Sequence, residues 1–500
     1  MSPFTRRDFV ALGAAALAAL PKSLRAQSPD AIATKLAADP MRPQFHLLPA
    51  RNWMNDPNGP IYFAGNYHMF FQYNPLAATW GDMSWNHAIS KDMVHWQLLP
   101  VAMTPTPGSY DSFGVFSGSA IAVGKRVYQV YTGTKQGPKD LATIAGDPNN
   151  VQESQCLAWS DDPRLIHWTK ADNPIIPLPP TGMKITGFRD PSVWKQNGVY
   201  YMTVGSGEAQ VGGCVLLYRS KDLHTWEYLH KLTSGTWNGK PTQNPCDDGE
   251  MWECPDFFPL DGKHVLIYST LGKVFWQSGK LDEATMLFHP EHTGLLDLDA
   301  FYAPKTQLDA HGRRILWGWI PERRSEDAMR SAGWSGMMSL PRILNLDPDG
   351  ILRITTPQQV SALRGTAQPQ LESLTGIRKL LPGASGELLC TGRKGSAFEL
   401  QLSCPELPEL LRVKYLPDTH SFLADGKEIK LQPADTPTLH AYIDGSVIEL
   451  ILGERIGYTK RFYYTAPTAP DVQLSATGAG LTSLDAWQMH PISPNRLTTL

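Results

Sequence analysis

Three acidic residues are the strongest candidates for chemistry in this sequence. Asp56 lies in the segment WMNDPNG, Asp190 in GFRDP and Glu253 in MWECPD, and each segment leads directly into an apolar run. Carboxylates that share a rigid pocket repel one another and lose hydration, so their pKa values move apart. One carboxyl group can then act as a nucleophile while another donates a proton. This is the arrangement that glycosidases use.

Each acidic segment has an ordinary structural interpretation when it is taken alone. Asp-Pro is a common turn element. It recurs at four places to which we assign no chemistry: Asp39, Asp147, Asp162 and Asp347. Three acids at roughly equivalent places in a repeat, each beside an aromatic residue or an arginine, are much harder to explain as turns. The functional interpretation is therefore favoured.

Aromatic and polar residues near the acids suit a sugar ligand. Aromatic rings can stack on the apolar face of a sugar, while amides, hydroxyls and guanidinium groups can bond its hydroxyl groups. The candidates for stacking are Trp53, Trp80, Trp252 and Trp319, and the candidates for hydrogen bonding are Asn55, Gln72, Ser117 and Arg189.

Five repeated segments supply the elements that must position these residues. Each contains a proline or small residue, an apolar strand pattern, a turn with glycine and a second apolar pattern, which predicts a β-hairpin. The segments begin at Gly59, Gly118, Asp190, Cys254 and Ala303. The 42 Gly and 41 Pro residues also favour many short strands over a helical bundle.

A second repeated feature follows the first three hairpins. Ser-x-Asp triplets begin at Ser90, Ser160 and Ser220, and each is followed by a tryptophan: Trp96, Trp168 and Trp226. We interpret these tryptophans as packing between repeats. Two more strands around each triplet give about four strands per repeat, the make-up of a propeller blade. We therefore predict an all-β protein with a five-bladed β-propeller over residues 45–350. The first strand of a blade lines the central channel, so the three acids would converge at its mouth.

The repeat stops after about residue 350. Residues 351–385 are predicted to be a linker and residues 386–500 a β-sandwich. Apolar and polar residues alternate in Phe398–Cys404, as in a half-buried strand, and Asp444-Gly445 between two apolar stretches predicts a hairpin.

The N-terminal segment resembles an export signal. Arg6 and Arg7 precede an apolar run from Val10 to Leu20, which is typical of a twin-arginine signal peptide over residues 1–26. A buried N-terminal helix is the alternative. The run is shorter than the roughly 20 residues needed to cross a bilayer. We therefore expect export to the periplasm or the extracellular space without a membrane anchor in the mature form, which would begin with an N-terminal segment at residues 27–44.

Charge and cysteine content exclude some classes of partner. The 45 Lys and Arg residues nearly balance 48 Asp and Glu residues, for a net charge of -3, so nothing points to nucleic acid. Six cysteines permit disulfides in an exported protein, but a chain this long does not need them. Free, buried thiols are the preferred interpretation.

The chain resembles glycoside hydrolase family 32, the β-fructofuranosidases that include invertases, exo-inulinases and levanases. The resemblance rests on WMNDPNG from Trp53, FFQYNP from Phe70, FSGS from Phe116, FRDP from Phe188, WECPDFF from Trp252, FYAPKT from Phe301 and WSGMMSLPR from Trp334. It implies a five-bladed propeller that carries the site, followed by a β-sandwich. It also implies substrate contacts at Phe116 of the FSGS motif.

The resemblance implies a role for each acid. Asp56 is similar to the nucleophile of the family, Glu253 to the general acid/base and Asp190 to the residue that stabilises the transition state, held by Arg189. Hydrolysis would retain configuration, with the carboxyl groups of Asp56 and Glu253 about 5 to 5.5 Å apart. Sucrose, levan or inulin would be the substrate. This mechanism requires no cofactor and no metal.

Two kinds of alternative remain open. A fructosyltransferase would use the same acids with a sugar in place of water, and a non-catalytic carbohydrate-binding propeller would not need all three. Propeller glycosidases that act on arabinans carry different motifs. In Trp85-Asn86-His87-Ala88, asparagine stands where the family commonly has glycine, and we expect this segment near the rim of the site. The preferred substrate and the oligomeric state are left open.

Overall fold

The computed structural model describes residues 29–367 and 377–493. The predicted signal peptide, residues 1–26, lies outside the described residues. Four short α-helices are present among those described: Pro29–Ala38, Pro245–Asp248, Glu326–Ala332 and Gln358–Ser361. None of the described helices combines the length and the apolar character that crossing a bilayer requires.

Five antiparallel sheets of about four strands follow one another along the first part of the chain, as predicted for a five-bladed propeller. The first blade contains β1 (Asn52–Phe63), β2 (Asn66–Asn74), β3 (Ser84–Ser90) and β4 (Trp96–Met103). The second contains β5 (Gly114–Val123), β6 (Arg126–Gln136), β7 (Val151–Ser160) and β8 (Thr169–Lys170), and the third β9 (Ile185–Gln196), β10 (Val199–Glu208), β11 (Gly212–Ser220) and β12 (Glu227–Ser234). The fourth contains β13 (Glu253–Leu260), β14 (Lys263–Thr270), β15 (Lys273–Asp282) and β16 (Leu287–Asp297). The fifth runs through β17 (Tyr302–Leu308), β18 (Arg314–Ile320), β19 (Trp334–Ser335), β20 (Met337–Met338), β21 (Arg342–Leu346) and β22 (Leu352–Thr355).

The five predicted hairpins are confirmed. In each blade the first strand pairs antiparallel with the second, across turns in which glycine supplies a positive φ that other residues rarely adopt. The Ser-x-Asp triplets form the turns before the outermost strands, where the Asp side chain accepts backbone N–H groups. The tryptophan after each triplet donates its Nε1–H to a carbonyl of the same turn.

Apolar side chains fill the gaps between neighbouring blades and hold the ring together. Trp96 contacts Trp317 of the fifth blade edge-on at 5.6 Å, and Trp168 contacts Phe70 of the first blade at the same distance. Trp226 packs against the core between the second and third blades. These contacts agree with the interpretation of the tryptophans as packing residues.

The ring is closed by the segment that connects β18 to β21. Strand β19 pairs parallel with β1, while β20 pairs with β18, so one short segment joins the first blade to the last. Gly336 between them has φ +77°, and a Cβ atom there would lie 2.0 Å from the carbonyl oxygen of Met54. Only glycine permits this close approach.

A two-sheet sandwich follows the propeller, as predicted. One sheet contains β23 (Arg364–Ala367), β25 (Ser385–Gly392), β30 (Thr438–Asp444), β31 (Val447–Leu452), β32 (Ile456–Arg461) and β34 (Leu481–Met489). The other contains β24 (Ile377–Leu381), β26 (Phe398–Cys404), β27 (Leu407–Leu416), β28 (Ser421–Ala424), β29 (Lys427–Lys430) and β33 (Val472–Thr477). Burial alternates along β26, and β30 and β31 form the hairpin predicted at Asp444-Gly445. A parallel bridge between Asp297 and Gly457 links the first sheet to the fourth blade.

The structure differs from the predicted linker, residues 351–385. Within that range β22 completes the fifth blade, and β23 and β24 are edge strands of the two sandwich sheets; residues 368–376 lie outside the described part. Burial alternates along Leu352–Thr355, which is typical of a half-buried strand and not of a linker. All six cysteines lie buried as free thiols, in agreement with the preferred interpretation.

Candidate active site

The inner strands of all five blades meet around one pocket with a volume of about 350 Å³. All of the predicted site residues except Trp252 line it: Asp56, Asp190, Glu253, Trp53, Asn55, Gln72, Trp80, Phe116, Ser117, Arg189 and Trp319. The buried members, such as Asp190 and Ser117, form the floor. Exposed Trp80 and Asn149 mark the rim.

Irregular backbone in the inner strands aims the side chains at the pocket. Each inner strand loses register with its neighbour next to the site, which is the behaviour of a β-bulge. Four of the five strands also carry a left-handed residue directly before a proline: Gly59, Asp190, Cys254 and Ala303, with φ between +46° and +65°. For Cys254 and Ala303 this conformation costs energy, and such strain is common at functional sites.

Each of the three acids lies near the start of its own inner strand, but they do not occupy the same position in their strands. Relative to the left-handed residue before proline, Asp190 occupies that place itself, Glu253 lies one residue earlier, and Asp56 lies three residues before Gly59. The expectation of roughly equivalent places therefore holds for the strands and not for the individual residues. Arg189 and Tyr302 are the counterparts of Glu253.

Asp56 is held by three donors. The Ser117 hydroxyl donates to Oδ2 at 2.6 Å, the Asn55 amide donates to Oδ1 at 3.0 Å, and the Cys254 thiol lies 3.5 Å from Oδ2. Asn55 is itself fixed, because it accepts the Trp53 Nε1–H at 2.7 Å. The carboxylate therefore has a defined orientation in the pocket.

Glu253 is bonded on both oxygens. Tyr302 donates its hydroxyl to Oε2 at 2.7 Å, and Arg189 donates from Nε and Nη2 to Oε1 at 3.1 and 2.8 Å. Arg189 also donates from Nη1 to the buried Glu153 at 3.0 Å. The expectation that Arg189 holds Asp190 is wrong in this respect, since its hydrogen bonds go to the two glutamates and to the Cys246 sulfur. It acts on Asp190 through charge.

Asp190 lies beside the same cysteine as Asp56. The backbone N–H of Cys254 donates to Oδ2 of Asp190 at 2.9 Å, and its thiol lies 3.4 Å from that oxygen. Burial and the charges of Asp190 and Asp56 raise the pKa of Cys254, so the group stays a thiol and can donate. One sulfur thus separates two of the three carboxyl groups.

The three carboxyl groups of the site differ in their affinity for a proton. Burial, together with the charges of Glu253 and Asp56, raises the pKa of Asp190 to about 7. Burial also raises the pKa of Asp56. Burial favours protonation of Glu253 as well, but the charge of Arg189 and the bonds from Tyr302 and Arg189 outweigh it and lower its pKa. The resting site therefore keeps Glu253 ionised and holds a proton on the Asp190 side.

The sugar-binding assignments divide into two groups. Three of the residues expected to bond sugar hydroxyls donate their hydrogen bonds to carboxylates instead: Asn55, Ser117 and Arg189. Gln72 Oε1 and Trp319 Nε1 are buried and have no hydrogen-bond partner among the described residues. Trp53 and Trp319 contact each other at 5.7 Å, and Trp80 contacts Phe116 edge-on at 6.1 Å. These rings form an aromatic wall.

Two expectations about neighbouring residues are wrong. Trp252 does not line the pocket but is buried between the third and fourth blades, stacked on Tyr268 at 3.8 Å. Asn86 is also buried away from the pocket, at a bulge in β3 where its Oδ1 accepts the N–H of His87. The departure at Asn86 therefore does not alter the rim.

Several pocket residues were not identified from the sequence. Tyr302 and Cys254 lie inside two of the recognised motifs, and the register of the repeat would have pointed to Tyr302. Glu153, which does not line the pocket but bonds Arg189 behind it, gave no signal, because Arg189 comes from another blade. The rim loop between β6 and β7 contributes Ile144, Asp147 and Asn149.

Comparisons with known proteins agree with this geometry. The glycosyl hydrolases family 32 N-terminal domain matches residues 46–356. A raffinose invertase of Escherichia coli is 33% identical over 87% of this chain and 92% of its own length. A sucrose-6-phosphate hydrolase of Bacillus subtilis is 30% identical over 90% of this chain and 95% of its own.

Solved structures show the same likeness. A family 32 β-fructofuranosidase of Bombyx mori superposes with a TM-score of 0.79 at 27% identity, covering 93% of this chain and 98% of the other. Fructan 1-exohydrolase IIa of Cichorium intybus superposes with a TM-score of 0.74 at 27% identity, covering 90% and 98%. The chain therefore belongs to glycosyl hydrolase family 32 and is a glycosidase of the β-fructofuranosidase type.

Proposed function

We propose that this enzyme releases terminal β-D-fructofuranosyl units from sucrose, from fructans such as levan and inulin, or from both. The observation that carries the proposal is the convergence of Asp56, Asp190 and Glu253 in one pocket beneath an aromatic wall. Relatives add support. The Bombyx mori enzyme has been solved with sucrose and the Cichorium intybus enzyme with 1-kestose.

The proposed chemistry is retaining hydrolysis in two steps. Asp56 attacks the anomeric carbon of the fructosyl unit while Glu253 gives its proton to the departing oxygen, so the glycosidic bond breaks as an ester to Asp56 forms. Glu253 then takes a proton from water, which attacks the same carbon and releases fructose. Asp190 accepts hydrogen bonds from sugar hydroxyls and stabilises the positive charge that develops on the sugar.

This chemistry requires the proton to reach Glu253 when substrate binds. Sugar hydroxyls that donate to Asp190 favour its ionised form and lower its affinity for the proton. The leaving oxygen beside Glu253 then provides the acceptor that this proton needs. We expect kcat/KM to fall as the pH rises through about 7, because the site loses the proton that Asp190 holds in the free enzyme.

The direct test compares fructose release from sucrose, inulin and levan by the purified mature protein. Release from at least one of them supports the proposal, and release from none would refute it. Product analysis at high sucrose concentration separates hydrolysis from fructosyl transfer. Predominant formation of oligofructans would show that the enzyme is a fructosyltransferase that uses the same acids, and not a hydrolase.

We also propose that the chain is exported through its twin-arginine segment to the periplasm or beyond. The support is the pair Arg6 and Arg7 before an apolar run. Fractionation of cells that express the full chain tests this proposal, with Arg6→Lys together with Arg7→Lys as the comparison. Export of the wild type and retention of the double variant in the cytoplasm are expected, while retention of both would contradict export.

A further inference from the structure

The charges around the pocket bear on which sugars it accepts, an inference that rests on the proposed function. A sugar phosphate carries roughly −1.5 to −2 charges near neutral pH. Proteins bind such a group with arginine, lysine or clustered backbone N–H groups. A pocket that is to hold a phosphorylated substrate must therefore provide a positive group near its opening.

This pocket provides acids instead. Four carboxyl groups line it, those of Asp56, Asp147, Asp190 and Glu253, and Arg189 is the only basic residue that lines it within the part of the chain described here. The guanidinium of Arg189 is already committed to Glu253 and Glu153. It has little charge left to offer a ligand.

Asp147 is placed where the charge of a leaving sugar would matter. The fructosyl unit must reach the acids on the floor, so the rest of the substrate lies toward the opening. Asp147 is half-buried in the rim loop, and its Oδ2 accepts the N–H of Val151 at 3.0 Å, which fixes the carboxylate. The basic residues of this stretch, Lys135 and Lys139, are not among those that line the pocket.

We infer that the outer part of the pocket selects uncharged sugars, and that Asp147 disfavours a substrate whose glucosyl unit carries a phosphate, such as sucrose 6-phosphate. The sequence assigned no chemistry to Asp147. The inference also separates this chain from its sucrose-6-phosphate hydrolase relatives by substrate, although they share about a third of their residues.

The test measures kcat/KM for sucrose and for sucrose 6-phosphate with the full mature protein. We expect the wild type to prefer sucrose by at least about tenfold, the size of one charge interaction near a protein surface. Asp147→Asn keeps the acceptor for the Val151 N–H but removes the charge, and Asp147→Lys reverses it. The preference for sucrose should shrink in the first variant and shrink further in the second.

A matched control and a salt series complete the experiment. Asp140→Asn removes an exposed charge from the same loop without touching the pocket, so the ratio of the two kcat/KM values should not move. Added salt should reduce the preference of the wild type for sucrose over sucrose 6-phosphate, because salt screens charges. Two results would overturn the inference alone. One is cleavage of sucrose 6-phosphate by the wild type as fast as or faster than that of sucrose. The other is a ratio of the two kcat/KM values that is the same in the wild type and in both Asp147 variants. Cleavage of neither sugar would overturn the inference, and the proposed function would fall with it only if inulin and levan also released no fructose.

Discussion

Glu253 must give up a proton and later recover one, so the groups that bond it control the pH range of the reaction. Arg189 and Tyr302 both donate to it, and both stabilise its ionised form. A glutamate held in this way is ionised and has no proton to donate until the substrate is bound. Its neighbours therefore offer a way to move the pH dependence without replacing a reacting group.

Replacing Tyr302 with phenylalanine should shift the pH profile. Tyr302→Phe removes a bond that lowers the pKa of Glu253, so that pKa should rise. Glu253 should then share the proton that Asp190 otherwise holds, so loss of this shared proton, and with it the alkaline fall of kcat/KM, should move to higher pH. A pH series on sucrose can measure the shift. Tyr218→Phe removes a buried hydroxyl far from the pocket and should leave the profile in place. If the alkaline fall of kcat/KM stays at the same pH in Tyr302→Phe, Tyr302 does not control the pKa of Glu253.

Sequence could identify the acids but not the bonds between them. Asp56, Asp190 and Glu253 each lie in a recognisable segment at the start of a hairpin. The partners of Glu253, by contrast, come from neighbouring blades: Arg189 precedes it by 64 residues and Tyr302 follows it by 49. Such pairs depend on the ring bringing inner strands side by side, which no local pattern encodes.

At the scale of elements, the closing segment between β18 and β21 joins the stability of the ring to the shape of the site. Strand β19 pairs with the start of β1, which leads directly to Asp56. Gly336 presses against the carbonyl of Met54 on one side and against Trp319 Nε1, 2.9 Å from the position of its missing Cβ, on the other. A residue with a side chain cannot fit without moving one of them.

We expect Gly336→Ala to destabilise the protein far more than Gly65→Ala. Both glycines have nearly the same backbone conformation, with φ of +77° and +76°, but a Cβ at Gly65 meets nothing within 4 Å. The shared conformational cost is about 1–2 kcal/mol, and the clash at Gly336 should add roughly 1–3 kcal/mol. Thermal unfolding midpoints of the two variants measure the difference. Equal losses would show that the close approach at Gly336 is not needed for closure.

The hairpins were predictable because alternation and glycine turns are local signals. The bulges in the inner strands were not, since a slip of one residue leaves the apolar pattern nearly unchanged while it redirects a side chain. For this reason the sequence could place the three acids in equivalent strands but could not predict the position of each acid along its strand.

At the scale of the whole molecule, a buried network of charges joins the propeller to the sandwich. His46, ahead of the first blade, bonds Asp444 at 2.8 Å and Glu449 at 2.9 Å in the sandwich. Arg342 of the fifth blade bonds Glu449 at 2.6 Å and Asp297 of the fourth at 2.9 Å. Removing one member would leave a buried charge without its partner, which is costly.

The network should make stability fall in alkaline solution. Burial alone would lower the pKa of His46, but the bonds and charges of Asp444 and Glu449 outweigh it and raise the pKa from 6.5 to about 9. The stabilisation is therefore complete below pH 6.5 and is lost as the pH rises through 9. Thermal unfolding of the wild type should show a falling midpoint across this range.

Variants of two histidines identify the source of that slope. The His46→Gln variant should be less stable than the wild type at neutral pH. Its thermal unfolding midpoint should lack the part of the fall at alkaline pH that comes from His46. His95→Gln removes an exposed histidine that bonds Asp92 on the surface, and it should leave the slope as in the wild type. A wild-type midpoint that does not change between pH 6.5 and 9 would contradict the charged state of His46.

The order of the two domains was predictable from the change from a repeat to plain alternation. Their junction was not. His46, Asp297, Arg342 and Glu449 are far apart in sequence and lie in segments that look like ordinary strand ends. The predicted linker likewise turned out to carry strands of both domains, since short edge strands give weak patterns.

The catalytic role of the acids is tested most directly by the rate of fructose release from sucrose by Asp56→Asn and Glu253→Gln, compared with the wild type and with Asp161→Asn. Asp161 is an exposed acid that pairs with Arg126 on the surface of the second blade and serves as the control. We expect losses of at least about a thousandfold for the two site variants and wild-type activity for the control. Fructose release at the wild-type rate by either site variant would contradict the assignment of these acids to the reaction.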